Sequence, residues 1–561
     1  MKISQCAKSL SLSPSSSILK TRLNRASMSN QLRAIVCLML FSILIVPGRA
    51  LAIEDELTAA DRTALMERFG VSAERLDTIL KIIDEGKNRN QTFQHLTYLC
   101  EQIGPRLTGS SRLETANNWV AEQFKSFGMT NVRLHEWGQL PVRFDRGPSS
   151  GSMVEPTERP FEFTTRSWSA GTDGPRRGPV LREPQTEEEL TAISEKLSGA
   201  WILRPAGSDP SAFVQRLNFA GIAGFISSSQ DELVRTGGVS GFTKLDPDNL
   251  SPEVTVIVRR SDYDAINSRL FDKQEVVVEF DLKHEFTAGP IPVYNTIGEI
   301  TGTKFPDEVV IISAHLDSWD GPGSQGTVDN GTGSCVTIEA ARILSACGIK
   351  PKRTIRFILW SGEEQGLLGS QAYVASLTEA ERAKISAVFV DDSGTNQQSS
   401  LTCAESMAKM LQQAIEPMNY AFADAPIKLN IQPLMPSRGG ASDHASFNAV
   451  GVPGFFWGKT GSANYRFAWH TQNDRLNVAV PEYLVKNSTV SALVAYMLAE
   501  ADTILPRPEP PTETTTESES PDKKGDAEKN SADGKAKQPG EKPTEKPEPA
   551  AEGGKGDKTV N

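Results

Sequence analysis

Apolar runs in the middle of the chain repeatedly end on side chains that can hold a cation or move a proton. The run VVIISAHLD closes on His315 and Asp317, TIRFILW is followed three and four residues later by Glu363 and Glu364, and ISAVFVDD closes on Asp391 and Asp392. Asp329 sits in a glycine-rich segment after the first run, and His470 follows GVPGFFWG after a loop. Each of these alone has a bland explanation, because a carboxylate at a strand end usually caps a helix or faces water and a single histidine is usually a hydrogen-bonded or surface residue. The conjunction carries the weight: the 561 residues contain 6 histidines, and His315 and His470 both fall in this pattern. Imidazole and carboxylate groups without thiolates suit a zinc-type site, and a carboxylate able to bridge suits two ions ~3.5–4 Å apart. Such a pair polarises a carbonyl and lowers the pKa of water, so hydrolysis is the natural chemistry.

Groups this far apart in the chain can meet only if the elements before them lie side by side. From Glu279 to about Leu505 strand-like and helix-like stretches alternate, with GSCVTIEAARILSACG between VVIISAHLD and TIRFILW. This alternation predicts an α/β domain with a mostly parallel, mixed sheet flanked by helices. In open sheets of that kind functional residues collect beyond the carboxyl ends of the strands. Upstream, Ile53 to about Arg146 reads as helical, with an amphipathic run NNWVAEQFKSFG that stops at Gly128. Between about Gly147 and Lys273 the pattern changes to short apolar runs (AWILRPAG, AGIAGFISSS, VTVIVRR) separated by Gly, Pro and Ser, which predicts an inserted small β-rich domain with a few helices.

The ends of the chain differ in character. Basic residues precede the apolar run Ala34 to Val46, and Pro47 leads to a small-residue site at Ala50-Leu51-Ala52. The run is shorter than the ~20 residues of a spanning helix, so residues 1–52 are expected to be an export signal cleaved after Ala52, with Met28 as an alternative start. The domain plan that follows is 53–146 and 274–505 for the catalytic domain, 147–273 for the insert and 506–561 for a tail. The tail is rich in Pro, Glu, Lys and Thr and nearly lacks aliphatic and aromatic residues, so it cannot bury enough surface to offset its chain entropy and is expected to be disordered. A net charge of -11 gives no reason to expect nucleic acid or an anionic membrane as partner. Cys6 and Cys37 lie in the presequence; the remaining Cys100, Cys335, Cys347 and Cys403 are too few for a disulfide scaffold and read as buried small residues.

The segments NTIGEITGTKFPDEVVIISAHLDSWD, TVDNGTGSCVTIEAARIL, PKRTIRFILWSGEEQGLLGSQAY, VDDSGT and WHTQND, preceded by IGPRLTGSSRLETANNWV, resemble the co-catalytic zinc aminopeptidase and carboxypeptidase family. The likeness spans most of Leu96 to Ala499. It implies two zinc ions per chain, one on His315 and Asp392, the other on Glu364 and His470, with Asp329 bridging them. It further implies Glu363 as general base, and Asp317 as the residue whose carboxylate orients the His315 imidazole. Asp392 is preferred to Asp391 because Asp-Ser-Gly-Thr resembles the family's Asp-Ala-Gly-Thr. Trp469 departs from the family at a position that often carries the partner of the oxyanion, although its indole N–H can donate. Asp443 and His444 have a rival reading as ligands, but the set is complete without them, so a buttress or pocket role is expected. Arg438 is a candidate anchor for a substrate carboxylate. The insert resembles a protease-associated domain and is expected to lie over the cleft and restrict substrate size.

Together these readings predict a secreted or periplasmic zinc exopeptidase of aminopeptidase or dipeptidase type. Peptide substrate is its partner, with no nucleic acid and no stable membrane insertion after signal removal, and a homodimer fits the relatives. The alternatives are a glutaminyl-cyclase-like transferase using one zinc, and a receptor-like relative that has lost its ligands; here no proposed ligand is missing.

Overall fold

Alternation along VVIISAH decides the layering. In the computed structural model, which describes residues 57–321, 323–435 and 440–507, Val310, Ile312 and Ala314 join one hydrophobic core while Val309 and Ile311 join another. That is the two-residue period of a strand buried on both faces. The strands that form this layer are β1 (Thr130–Glu155), β2 (Val277–Ile300), β3 (Phe305–His315), β4 (Arg353–Trp360), β5 (Ile385–Val390) and β6 (Gly454–Phe456). Their spatial order is β6-β5-β3-β4-β2-β1. Neighbours from β6 to β4 run parallel, and β2 joins β4 and β1 antiparallel. The α/β expectation therefore holds.

Helices cover both faces. On the first, α2 (Ser111–Ser126), α3 (Thr332–Ala346) and α4 (Pro481–Ala499) share a core with Val310, Ile312, Phe357 and Leu359, and α1 (Ala73–Asn88) packs on α3 and α4. Nearly every residue of α4 from Leu484 onward is buried, apolar over Ala492–Ala499 and with Asn487 and Ser488 hydrogen-bonded to backbone carbonyls. On the second face Tyr373, Val374 and Phe447 pack against Ile311, Ile358 and Trp360.

The helical reading of residues up to Arg146 holds only as far as Ser126. Gly128 takes a left-handed backbone at φ 76° and ends the helical stretch. Beyond it Leu140, Val142 and Phe144 are buried at alternate positions, and β1 pairs with β2 along almost its whole length. The ladder to β2, distant in sequence, outweighs the local pattern.

Between β1 and β2 the chain builds a further set of strands. Arg176–Arg182 pairs antiparallel with the start of β2, and Trp201–Leu203, Gly224–Ser228 and Thr255–Val258 follow as parallel neighbours. Trp201, Val256, Val278 and Phe280 belong to a core separate from that of the main layer. The export signal, nearly all of the tail and Arg438 lie outside the described residues. Among the described residues no helix is long and apolar enough to cross a membrane.

One buried cation ties the loops above β3 to the body of the fold. Arg106 donates to the carbonyls of Gly104, Leu316, Gln325 and Gly326, which bracket the turns leading to Asp317 and Asp329. Arg106→Met leaves these carbonyls without their donor, so stability in urea should fall by about 3 kcal/mol or more. A loss below about 1 kcal/mol would show that the loops hold themselves.

Candidate metal centre

The parallel strands deliver their polar ends to one place. His315 is the last residue of β3, Glu363 and Glu364 follow β4, Asp391 and Asp392 follow β5, and His470 comes after β6 and a short helix, Tyr465–Ala468. His315 Nε2 lies 3.3 Å from Asp329 Oδ1 and 3.3 Å from Asp392 Oδ1. His470 Nε2 lies 3.1 Å from Asp329 Oδ2 and 2.9 Å from Glu364 Oε2. Asp329 thus turns one oxygen to each imidazole. Glu363 Oε2 stands 3.9 Å from His315 Nε2, beside both triads and part of neither.

Each group is held by a specific contact. His315 Nδ1 is 2.9 Å from the Asp317 carbonyl, which can only accept, so the ring donates from that nitrogen and turns Nε2 to the acids. Asp329 lies in the turn Thr327–Gly331, whose Val328 and Asp329 amides donate to the Asp474 carboxylate at 2.6 and 3.4 Å. Asn330 fastens the same turn to β5 by donating to the Asp391 carbonyl at 2.8 Å. Gly333 must be glycine, because a Cβ there would meet that carbonyl at 2.0 Å.

Asp317 lies past the end of β3, so it is not held to the strand register that would place it on the same face as His315. Its carboxylate is 3.6 Å from the imidazole and instead accepts from the Glu363 and Glu364 amides, both at 3.3 Å, and from the Thr108 hydroxyl at 3.0 Å. It is a positioning residue that joins the β3 and β4 loops. The cavity beside the acids, about 470 Å³, is lined by Asp329, Glu363, Asp392, Tyr465, Trp469 and His470 among others, and none of its lining residues comes from 147–273.

The choice between neighbouring aspartates is made by a distant lysine. Asp391 is paired with Lys459 and accepts from Gln398 Nε2 at 2.7 Å, which leaves Asp392 to face His315. Asp443 and His444 join neither triad, and Asp443 is fully buried. Asp474, Lys459, Arg106 and Tyr465 were not legible as site residues: an acid four residues after a histidine, or a lone lysine, is too common to signal anything.

Electrostatics follow from this crowding. Burial alone would push the His315 ring down, yet Asp392, Glu363, Asp317 and Asp329 hold it well above its ordinary value. His470, also pulled down by burial, is lifted to about 10 by Glu364 and Asp329. Burial works to raise Asp329, but the two imidazoles hold it well below the usual carboxylate range. Burial, with Asp392, Asp443 and Glu364 nearby, pushes Glu363 up against the pull of His315.

The residues fit a pair of divalent cations. Ligands at about 2.0–2.1 Å around a tetrahedral ion stand roughly 3.3 Å from one another. The imidazole-to-carboxylate spacings, 2.9 to 3.3 Å, are of that size. Among the described residues the buried His315 Nε2 and Asp329 Oδ2 also lack a hydrogen-bond partner, although both point into the centre.

Residues 295–495, which contain every candidate ligand, match the profile of Peptidase family M28. Carboxypeptidase Q of Mus musculus is 27% identical over 444 residues, covering 76% of this chain and 90% of that protein. Aminopeptidase YwaD of Bacillus subtilis (strain 168) is 31% identical over 200 residues, 34% of this chain and 41% of that protein. The solved Peptidase M28 precursor from Shewanella amazonensis SB2B shares the fold with a TM-score of 0.56 at 26% identity, covering 77% of this chain and 99% of that one.

In the metal-free chain both imidazoles hold their protons at pH 7, and a ligating imidazole must be neutral. Cation binding should therefore release protons, and affinity should rise with pH until His470 titrates at about 10. Calorimetric titrations in two buffers of different ionisation enthalpy measure the release; identical heats in both would contradict it.

Proposed function

Residues 295–495 being a peptidase family M28 domain, we propose that this protein is a zinc-dependent metallo-exopeptidase that hydrolyses dipeptides or short peptides with two zinc ions per chain. The observation that carries the proposal is the convergence of two imidazoles and three carboxylates from separate loops into two triads sharing Asp329. His315, Asp329 and Asp392 would hold one ion, and Asp329, Glu364 and His470 the other. Ions held there would polarise a carbonyl and bring the pKa of water toward neutrality.

The remaining work falls to the chain's own side chains. Glu363 stands next to the ligands without being one, so it can take a proton from the attacking water and hand it to the leaving amine. Its neighbour Glu364 is committed to His470 and is fixed further by the Trp319 amide at 3.1 Å. Asp317 keeps these two glutamates in register through their amides. Burial and the acids Asp329, Asp392 and Glu364 keep the Tyr465 hydroxyl protonated, so it can donate to a developing oxyanion from the same cavity wall as Trp469. A cavity near 470 Å³ suits a short peptide. We further propose that the protein is exported, on the apolar run Ala34 to Val46 and the small-residue site at Ala50-Leu51-Ala52.

Incubating the protein with defined dipeptides and longer peptides, with and without a chelator, and reading products by mass spectrometry tests the reaction and its polarity together. Chelator-sensitive release of terminal residues is expected. Glu363→Gln should lower kcat by about 10²–10⁴-fold at unchanged zinc content. Zinc-loaded protein that cleaves nothing in the set, or that is indifferent to Glu363→Gln, would overturn the proposal.

A further inference from the structure

We infer that the segment inserted between β1 and β2 completes the Glu364–His470 half of the metal centre by fixing the backbone at His470 and the Trp319 loop that holds the Glu364 side chain, with Gln472 as a positioning residue. The inference rests on the two-ion reading of the site.

His470 is the starting point. Its φ of 54° is left-handed, a region where residues other than glycine are uncommon and strained. Such a conformation persists only when its surroundings hold it, and here much of the holding comes from the insert. The Thr236 amide donates to the His470 carbonyl at 2.8 Å, and Arg235 forms an antiparallel bridge with Thr471. Gln472 closes the clasp in both directions: its amide donates to the Val234 carbonyl at 3.1 Å, and its Oε1 accepts from the Val234 amide at 2.8 Å. Its Nε2 donates to Glu162 Oε2 at 3.1 Å.

The second ligand of that half is tied to the same segment. Glu364 Oε1 accepts from the Trp319 amide, and the Trp319 ring stands edge-on to Trp168 of the insert and to His470, each at 6.4 Å. Asp320, next in the loop, accepts from the Ser167 hydroxyl and from Arg146 Nε. Thr236 reaches both loops, since a Cβ on Gly321 would lie 2.4 Å from its methyl group.

The other half is anchored differently. His315 is oriented by the Asp317 carbonyl, and its own carbonyl accepts from Ser334 at 2.6 Å, both within the main layer. Asp392 follows β5 directly. Among the described residues none of the insert lines the cavity, and its contacts with the centre are those to the His470–Gln472 backbone and the Trp319 loop.

The test measures zinc bound per full-length chain by elemental analysis across a graded series of chelator buffers, with circular dichroism as the check on folding. Wild type, Gln472→Leu and Thr236→Pro are compared, each with and without His470→Ala. Thr236→Pro removes the amide that donates to His470 together with the methyl group beside Gly321, whereas Gln472→Leu leaves both in place, so the two variants break the clasp at different points. Each should weaken one ion by about 10–100-fold, the usual effect of removing a group that orients a ligand, and leave the other at the wild-type midpoint. Neither should add anything once His470→Ala has removed that ion. Wild-type midpoints for both ions in the folded variants, or equal weakening of both, would overturn the inference and leave the peptidase reading intact. Wild-type chain holding fewer than two zinc ions would instead overturn the two-ion reading on which it rests.

Discussion

Asp329, Glu363, Glu364 and Asp392 converge around two imidazoles in a largely buried pocket, and this concentration of charge governs the rest of the structure. Removing a carboxylate from water costs several kcal/mol even after relaxation, and neighbouring carboxylates repel one another. In the metal-free chain the imbalance is met by protons: both imidazoles are held charged, and burial favours the protonated form of Glu363. A pair of divalent cations would replace those protons with larger charges at the points where His315 Nε2 and Asp329 Oδ2 are without partners. The groups that crowd one another here are those whose spacing fits divalent cations, and on the reading proposed above they would form a cation trap.

A trap of this kind works only if its groups cannot relax apart. Parallel strands buried on both faces give each ligand loop a rigid root, and the loops are then cross-linked to each other. Asp317 links β3 to the turn after β4, Asn330 links the Asp329 turn to β5, and Asp474 and Arg106 hold that turn from below. The long β1–β2 ladder carries the insert to a position from which it can grip the His470 loop.

Adjacent residues of the same type acquire opposite duties in this frame. Glu364 faces His470 while Glu363 stands clear of both triads; Asp392 faces His315 while Asp391 is neutralised by Lys459. In each pair a turn of the backbone points consecutive side chains in different directions. What differs is the partner each one meets.

The types of group that could bind a cation, and the strands they follow, were legible in the residues themselves. Coordination chemistry belongs to the side chain, and the two-residue period of VVIISAH is a local property that the sheet only has to respect. The division of labour was not legible in the same way. Asp391 is withdrawn from the site by a lysine 68 positions away, and Asp317 turns to the Glu363 and Glu364 amides because the strand ends two residues earlier. β1 looked helical because its partner strand begins more than a hundred residues later, and the clasp of Val234 on Gln472 joins segments 238 positions apart. Local pattern specifies which atoms are available, whereas hydrogen bonds and ion pairs between distant segments specify where each atom points, and those exist only once the chain has closed on itself.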